Sequence, residues 1–319
     1  MDGKVGEGKN DCEGAGMTAA LKAASGCGAL NQRASIQMVS INGVSIAYRD
    51  RGRGAAVVFV HGHPFDQSMW DAQVEALSWK YRVITLDLRG YGASEVPEAD
   101  ATTLETMATD VRALLDNLQV RRAVVVGLSM GGQVAMAFAE MFPARLAGLV
   151  LAATFAEAET LDGVVARRAM AERFEREGSV LPGGEMVPKL LAAASVKRDP
   201  ALAVKVFTMI AHAPAAGAAA ALRGRALRKD YIATLRGVSV PALIVVGTED
   251  RFSPLERALR MQEVIPGARL EVFEGVGHLL NLEDADRFNA VLHAFLSGIP
   301  PWAELGDESG TEPGAKLAG

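Results

Sequence analysis

The chain has 319 residues, of which 50% are hydrophobic and 22% are charged, and its formal net charge is −5 at pH 7. This composition is ordinary for a globular protein and excludes a wholly disordered chain. Acidic and basic residues are mixed along the chain, and no uncharged apolar run reaches the ~18 residues that a membrane span requires. We therefore expect neither a nucleic-acid nor a membrane partner.

The two ends of the chain differ in composition from the middle. Residues 1–35 are rich in Gly, Ala, Asn and Lys without a period of 2 or 3.6, so we expect little order there. Cys12 and Cys27 lie in this segment; we interpret them as free thiols, with a disulfide as the alternative. The segment lacks the apolar core of a signal peptide, which predicts a cytoplasmic protein. Residues 301–319 are expected to form a C-terminal tail.

Short apolar runs recur along the middle of the chain and are typical of strands. The first two flank Asn42-Gly43, a strong signal for a hairpin turn, and the others are continuous runs typical of strands buried on both faces. The predicted strands cover residues 36–41, 44–48, 57–60, 82–86, 123–126, 146–151, 242–246 and 269–273.

Amphipathic helical patterns separate most of these strands, at about residues 67–77, 104–118, 132–141, 254–264 and 283–296. Thr103 is a candidate cap for the second, and Pro254 suits the first turn of the fourth. Alternation of strands and helices predicts a mostly parallel sheet of about eight strands with helices on both faces.

One long segment, residues 155–235, interrupts this alternation because it contains no strand signal. Its composition is helical, and we interpret it as an insertion within a core formed by residues 36–154 and 236–300. The expected helix breaks are Pro182, Pro188, Pro200 and Pro214.

The sharpest motif is Gly127-Leu128-Ser129-Met130-Gly131, which stands between a predicted strand and a predicted helix. A serine on a tight strand-to-helix turn is exposed above the sheet, and neighbouring glycines permit the strained backbone. The following helix N-terminus offers N–H groups to a developing oxyanion. Ser129 is therefore the candidate nucleophile.

A second motif, His61-Gly62-His63-Pro64, follows the third predicted strand. A loop beside the nucleophile can supply a second N–H for the oxyanion, and we assign this role to the backbone of His63 with that of Met130 as its partner. The alternative is a tight structural turn, and His61 is interpreted as a residue that holds the loop.

Asp250 lies at the end of the predicted strand 242–246, where a carboxylate reaches the same edge of the sheet as the serine. It would accept a hydrogen bond from the base and fix the tautomer of the imidazole. Two alternatives remain open: Asp250 only caps the helix that starts at Pro254, or the neighbouring Glu249 is the acid.

His278 follows Gly275-Val276-Gly277 after the last predicted strand, and a flexible loop of this kind suits the presentation of a general base. The other four histidines are His61, His63, His212 and His293, and none has this setting. The order Ser129, Asp250, His278 is the chain order that a nucleophile elbow of this type requires.

Four blocks carry a resemblance to a known family: HGHPFD at 61–66, DLRGYGAS at 87–94, GLSMGG at 127–132 and GHLLNLE at 277–283. With them, residues 36–300 resemble the α/β-hydrolase superfamily, and are similar to bacterial arylesterases, 3-oxoadipate enol-lactonases and cofactor-free haloperoxidases. The resemblance implies the α/β-hydrolase fold with a helical lid at 155–235. Ser129 separates the chain from similar haloalkane dehalogenases and epoxide hydrolases, which carry Asp there, and His63 replaces the Phe, Trp or Asn common in relatives.

The leading hypothesis is hydrolysis of small carboxylic esters or lactones through an acyl-enzyme, with no cofactor and no metal site. Alternatives on the same triad are C–C bond hydrolysis and perhydrolase or haloperoxidase activity, and a slow-turnover ligand receptor is a third. The sequence does not determine the oligomeric state, and a homo-oligomer is compatible with it. The side chains expected to bound the pocket are Phe155, Met186, Phe207 and Met209.

Overall fold

An eight-stranded sheet lies at the centre of the computed structural model, which describes residues 35–300. The strands are β1 (Gln37–Ile41), β2 (Val44–Arg51), β3 (Ala56–Val60), β4 (Arg82–Leu86), β5 (Ala123–Leu128), β6 (Leu146–Ala152), β7 (Ala242–Gly247) and β8 (Arg269–Phe273). Their order is β1-β2-β4-β3-β5-β6-β7-β8; β2 pairs antiparallel with both of its neighbours, β1 and β4, and every other neighbouring pair is parallel. The predicted sheet is confirmed. The predictions for the N-terminal extension, its two cysteines and the C-terminal tail concern residues outside the described range.

Burial explains the apolar runs from which these strands were predicted. Every residue of β3, β5, β6 and β7 is buried, whereas the edge strand β1 alternates between exposed and partly buried positions. Alternate residues of β3 enter two separate hydrophobic clusters, Val58 and Val60 on one face and Val57 and Phe59 on the other. The sheet is therefore covered on both faces, as parallel sheets are.

The helices, numbered in chain order, are α1 (Asp71–Leu77), α2 (Leu104–Asn117), α3 (Met130–Met141), α4 (Leu161–Glu177), α5 (Val180–Leu190), α6 (Ala193–Arg198), α7 (Pro200–His212), α8 (Ala215–Ala226), α9 (Ile232–Arg236), α10 (Leu255–Val264), α11 (Leu280–Glu283) and α12 (Ala285–Ser297). Thr103 caps α2 as predicted, because its hydroxyl accepts a hydrogen bond from the N–H of Thr106. Pro254 is the residue before α10 rather than its first residue.

The six helices α4–α9 all lie between β6 and β7, and residues 155–235 contain no strand. Pro200 and Pro214 stand at or just before helix starts, but the prediction that Pro182 and Pro188 break helices is wrong, since both lie within α5. Pro182 is in the first turn, where an N–H has no intrahelical acceptor. Pro188 is in the last turn, so only one backbone hydrogen bond is lost.

Within residues 35–300, none of the helices is both long and apolar enough to cross a membrane by itself; α7 and α8 together meet that criterion only as a pair bent by 90°.

Candidate active site

Ser129 occupies a strained turn between β5 and α3. Its φ of 57° and ψ of −115° place it in a region that residues with side chains seldom adopt. The turn is also closely packed, because a Cβ atom on Gly127 would lie 2.2 Å from the carbonyl oxygen of Gly131. A Cβ atom on Gly131 would lie 2.1 Å from the oxygen of Val60. The glycines of the motif are thus required by backbone contacts on both sides of the serine.

His278 and Asp250 meet at the same edge of the sheet, in the segments that follow β8 and β7. His278 Nδ1 lies 2.8 Å from Asp250 Oδ2, and both side chains are buried. Since the Asp250 carboxylate can only accept, His278 Nδ1 is assigned the proton, which leaves Nε2 as the basic nitrogen. This is the tautomer that a general base for a serine requires.

Asp250 also performs the capping role that the sequence left as an alternative. Its second oxygen, Oδ1, accepts hydrogen bonds from the N–H groups of Phe252 at 2.8 Å and Ser253 at 3.0 Å. One carboxylate therefore closes the turn before α10 and contacts the imidazole at the same time. The rival acid, Glu249, is exposed.

The loop after β3 lies directly beside the serine. A Cβ atom on Gly62 would be 3.3 Å from Ser129 Cβ, so a larger residue would crowd the nucleophile. The backbone N–H groups of His63 and Met130 have no hydrogen-bond acceptor within residues 35–300. Both donors are thus available for an oxyanion.

The two histidine side chains of this loop have different surroundings. The Nδ1–H of His61 faces the carbonyl oxygen of Gly62 at 2.8 Å, and its Nε2 accepts from the N–H of Leu88 at 2.9 Å. His61 therefore holds the loop. The Nδ1 atom of His63 lies 2.7 Å from the hydroxyl oxygen of Tyr91. Burial of the His63 side chain, together with the nearby positive charge of Arg225, lowers its pKa well below the usual histidine value.

A cavity of about 330 Å³ contains Ser129 and His278 in its wall. Its other lining residues are His63, Gln133, Thr154, Phe155, Gly163, Ala166, Arg167, Met170, Met186, Lys189, Leu190, Leu222, Arg225, Phe252 and Ser253. Most of these come from the helical segment between β6 and β7. The segment therefore forms the wall opposite the sheet.

The structure brings two of the four predicted pocket side chains to this cavity, Phe155 and Met186. The prediction for Phe207 and Met209 is wrong. Met209 is buried in a hydrophobic cluster, and Phe207 packs against that cluster near Gly183. Both lie on α7, which packs behind α5, and α5 supplies the cavity wall in its place.

Sequence reasoning missed the positive charges of the cavity, Arg167, Lys189 and Arg225. Arg225 is only 7% exposed, and its Nε donates to Gln133 Oε1 at 3.1 Å. Apart from Arg223 and Arg225, the helix that carries it consists of Ala, Gly and Leu, which indicates a packed helix but not which of its two arginines faces the cavity. No group of three or more potential metal-ligating side chains occurs in the described part of the chain.

A model of the family described as Alpha/beta hydrolase family matches residues 57–291. The 3-oxoadipate enol-lactonase 1 of Acinetobacter baylyi is 32% identical over 267 residues, which cover 83% of this chain and 98% of that protein.

Two solved structures have a backbone fold similar to that of this chain. A thermophilic esterase from Thermogutta terrifontis, with malate bound, has a TM-score of 0.79 and 38% identity, and covers 84% of this chain and 99% of its own. The enol-lactonase from Burkholderia xenovorans LB400 has a TM-score of 0.76 and 30% identity, with coverage of 82% and 100%. The family model spans most of the sheet and the strained serine turn, and the chain is accordingly a hydrolase that belongs to the alpha/beta hydrolase family.

Proposed function

We propose that this hydrolase cleaves small carboxylic esters or lactones through an acyl-enzyme formed on Ser129. The observation that carries the proposal is the 2.8 Å contact between His278 Nδ1 and Asp250 Oδ2 in the wall of the cavity that contains the serine. The names of the relatives, enol-lactonase and esterase, support the same reaction class.

In the first half-reaction Ser129 Oγ attacks the carbonyl carbon while His278 Nε2 takes the hydroxyl proton. The negative charge that develops on the carbonyl oxygen is stabilised by the N–H groups of His63 and Met130. Collapse of this intermediate breaks the bond to the leaving oxygen, which receives the proton from His278. Water, deprotonated by the same histidine, then attacks the acyl carbon; the bond to Ser129 Oγ breaks, the serine oxygen recovers the proton from His278, and the acid is released.

A fluorophosphonate probe and intact-protein mass measurement test the nucleophile. The wild-type protein should gain one probe mass, and Ser129→Ala should gain none. Ser253→Ala is the matched control, because Ser253 also lines the cavity but its hydroxyl donates to the carbonyl oxygen of Ala153. Equal labelling of Ser129→Ala and wild type would refute the proposal.

Product analysis with the wild-type protein separates ester hydrolysis from the alternative activities on this triad. Steady release of acid and alcohol from an ester or lactone panel supports hydrolysis. Peracid formation with added hydrogen peroxide, or turnover confined to a β-diketone, would replace the proposal with perhydrolysis or C–C hydrolysis. A single burst followed by near-zero turnover would favour a receptor.

A further inference from the structure

The cavity wall has an unbalanced charge. Three of its 17 lining residues are cations, Arg167 on α4, Lys189 on α5 and Arg225 on α8, and none is Asp or Glu. Lys189 is exposed, so solvent screens its charge, but Arg225 is buried. A buried charge costs free energy unless another charge pairs with it.

Arg225 is held close to the nucleophile by a neutral partner. Its Nε donates to Gln133 Oε1, and Gln133 lies four residues after Ser129, about one helical turn or ~6 Å along α3. The guanidinium forms no ion pair with any carboxylate of residues 35–300. The planar fork of an arginine matches a carboxylate in bidentate geometry, which a neutral amide does not exploit.

The side chains around Arg225 add further positive charge at this end of the cavity. Burial, with Arg167 and Arg228, lowers the pKa of the Arg225 guanidinium well below its usual value. Glu159 compensates two of these cations from outside the cavity wall: it pairs with Arg167 and lies 3.5 Å from Arg228 Nη1. A guanidinium stays protonated at neutral pH. The single carboxylate of Glu159 therefore does not neutralise the three arginines, and this end of the cavity keeps a net positive charge.

We propose that Arg225, together with Arg167, forms a carboxylate-binding subsite, and that the substrates are short esters or lactones that also carry a free carboxylate. The ester group contacts Ser129 while the carboxylate occupies the fork of Arg225, so the two groups are separated by a few carbon atoms. This inference rests on the proposed ester hydrolysis. The rival view is that Arg225 only fastens α8 to α3 through Gln133, which requires no preference for anions.

A pair of isosteric substrates distinguishes the two views. Monoethyl glutarate carries a carboxylate, and ethyl 4-carbamoylbutanoate carries a neutral amide in the same position. A second pair, 4-acetoxybutanoate and 4-acetoxybutanamide, places the group on the alcohol side. In at least one pair the wild-type kcat/KM should favour the anion by about 10- to 100-fold, the range expected for charge-assisted hydrogen bonds. Equal rates in both pairs would overturn the proposal.

The variants test which side chain is responsible. Arg225→Met should lower the anion-to-amide ratio about 10- to 100-fold and Arg225→Lys by less, because lysine keeps the charge but loses the fork. Arg167→Gln should lower it to a smaller extent. Arg223→Met is the matched control, since Arg223 lies on the same helix but pairs with Glu175 outside the cavity; its ratio should not change. The ratio is internal to each variant, so partial misfolding does not alter it. An unchanged anion-to-amide ratio in folded Arg225→Met contradicts the proposal. If Arg225→Met does not fold, an unchanged ratio in both Arg225→Lys and Arg167→Gln contradicts it.

Binding without turnover separates this inference from the reaction itself. Glutarate, but not glutaramide, should raise the melting temperature of Ser129→Ala, because a ligand that binds only the folded state stabilises it. The shift should disappear in Ser129→Ala combined with Arg225→Met. If glutarate raises the melting temperature of Ser129→Ala but the wild-type protein has no esterase activity, the subsite is supported and the proposed function is refuted. Equal effects of glutarate and glutaramide on the melting temperature would refute the subsite.

Discussion

The carboxylate of Glu283 lies 2.9 Å from the backbone nitrogen of Ala192 and accepts its hydrogen bond. The same carboxylate accepts from the N–H groups of Gly277 and Leu279, the two neighbours of His278. Glu283 therefore joins the loop that carries the proposed base to the helical segment that forms the opposite cavity wall. The backbone N–H of His278 adds a second link, to the carbonyl oxygen of Leu190 at 2.8 Å.

Glu283→Gln should reduce both stability and turnover. The new amide nitrogen would face backbone N–H donors, so at least one hydrogen bond to a charged acceptor is lost, at about 1–3 kcal/mol of unfolding free energy. Small displacement of His278 should lower kcat by about 10- to 100-fold with little change in KM. Urea unfolding and steady-state kinetics measure these effects. The exposed Glu263→Gln is the control, and equal behaviour of the two variants would contradict the positioning role.

Asp250→Asn and Asp250→Ala should separate the two tasks of one carboxylate. Asparagine keeps an oxygen for the N–H groups of Phe252 and Ser253 but presents an amide to His278 Nδ1. We expect kcat to fall by roughly 10⁴ in Asp250→Asn with little loss of stability. Asp250→Ala should lose turnover and about 1–3 kcal/mol of unfolding free energy. A large loss of stability in the asparagine variant would show that the turn depends on both oxygens.

Gly217→Ala should destabilise the protein because α8 touches the loop after β4 backbone to backbone. A Cβ atom at Gly217 would lie 1.9 Å from the carbonyl oxygen of Gly90, so the helix must move, at about 1–3 kcal/mol. Gly184→Ala on α5 is the matched helical control: nothing lies within 4 Å of its Cβ position, and alanine should stabilise by about 0.5–1 kcal/mol. Thermal unfolding of both variants measures the difference, and a stabilised Gly217→Ala would refute the close approach.

The contribution of Glu159 to the free energy of unfolding should decrease as the pH is lowered. Burial raises the pKa of this carboxyl, but the hydrogen bond and charge of Arg167, with Arg228 and Arg225, outweigh it and lower the pKa below its ordinary value of 4.5. Because the folded-state pKa is the lower one, the stabilisation is complete above the unfolded-state value and is lost as pH falls through the folded-state value.

The measurement compares wild type with Glu159→Gln in urea unfolding between pH 7 and pH 3. The variant should be less stable at pH 7, and the difference should shrink below about pH 4.5, as the wild-type carboxyl becomes protonated. Glu263→Gln should show no such convergence. A difference that stays constant to pH 3 would mean that Glu159 acts through packing and not through its charge.

The sequence by itself determined the strands, their order of appearance and the segments in which Ser129, Asp250 and His278 lie. The reason is local: a strand buried on both faces must be continuously apolar, and a serine turn in close contact with the β3 loop must be flanked by glycine. Motifs that follow parallel strands must also lie at one edge of the sheet, so their proximity could be predicted without coordinates.

Only the tertiary structure decided which side chains of residues 155–235 reach the cavity. Helical periodicity gives an apolar face but not the neighbour that it contacts, so Met209 was assigned to the pocket although α5 lies between α7 and the serine. The burial of Arg225 depends likewise on the packing of α8 against α3 and α4, which local pattern does not encode. The charge of the cavity is set by contacts between distant helices, and for that reason it follows from the fold and not from any single motif.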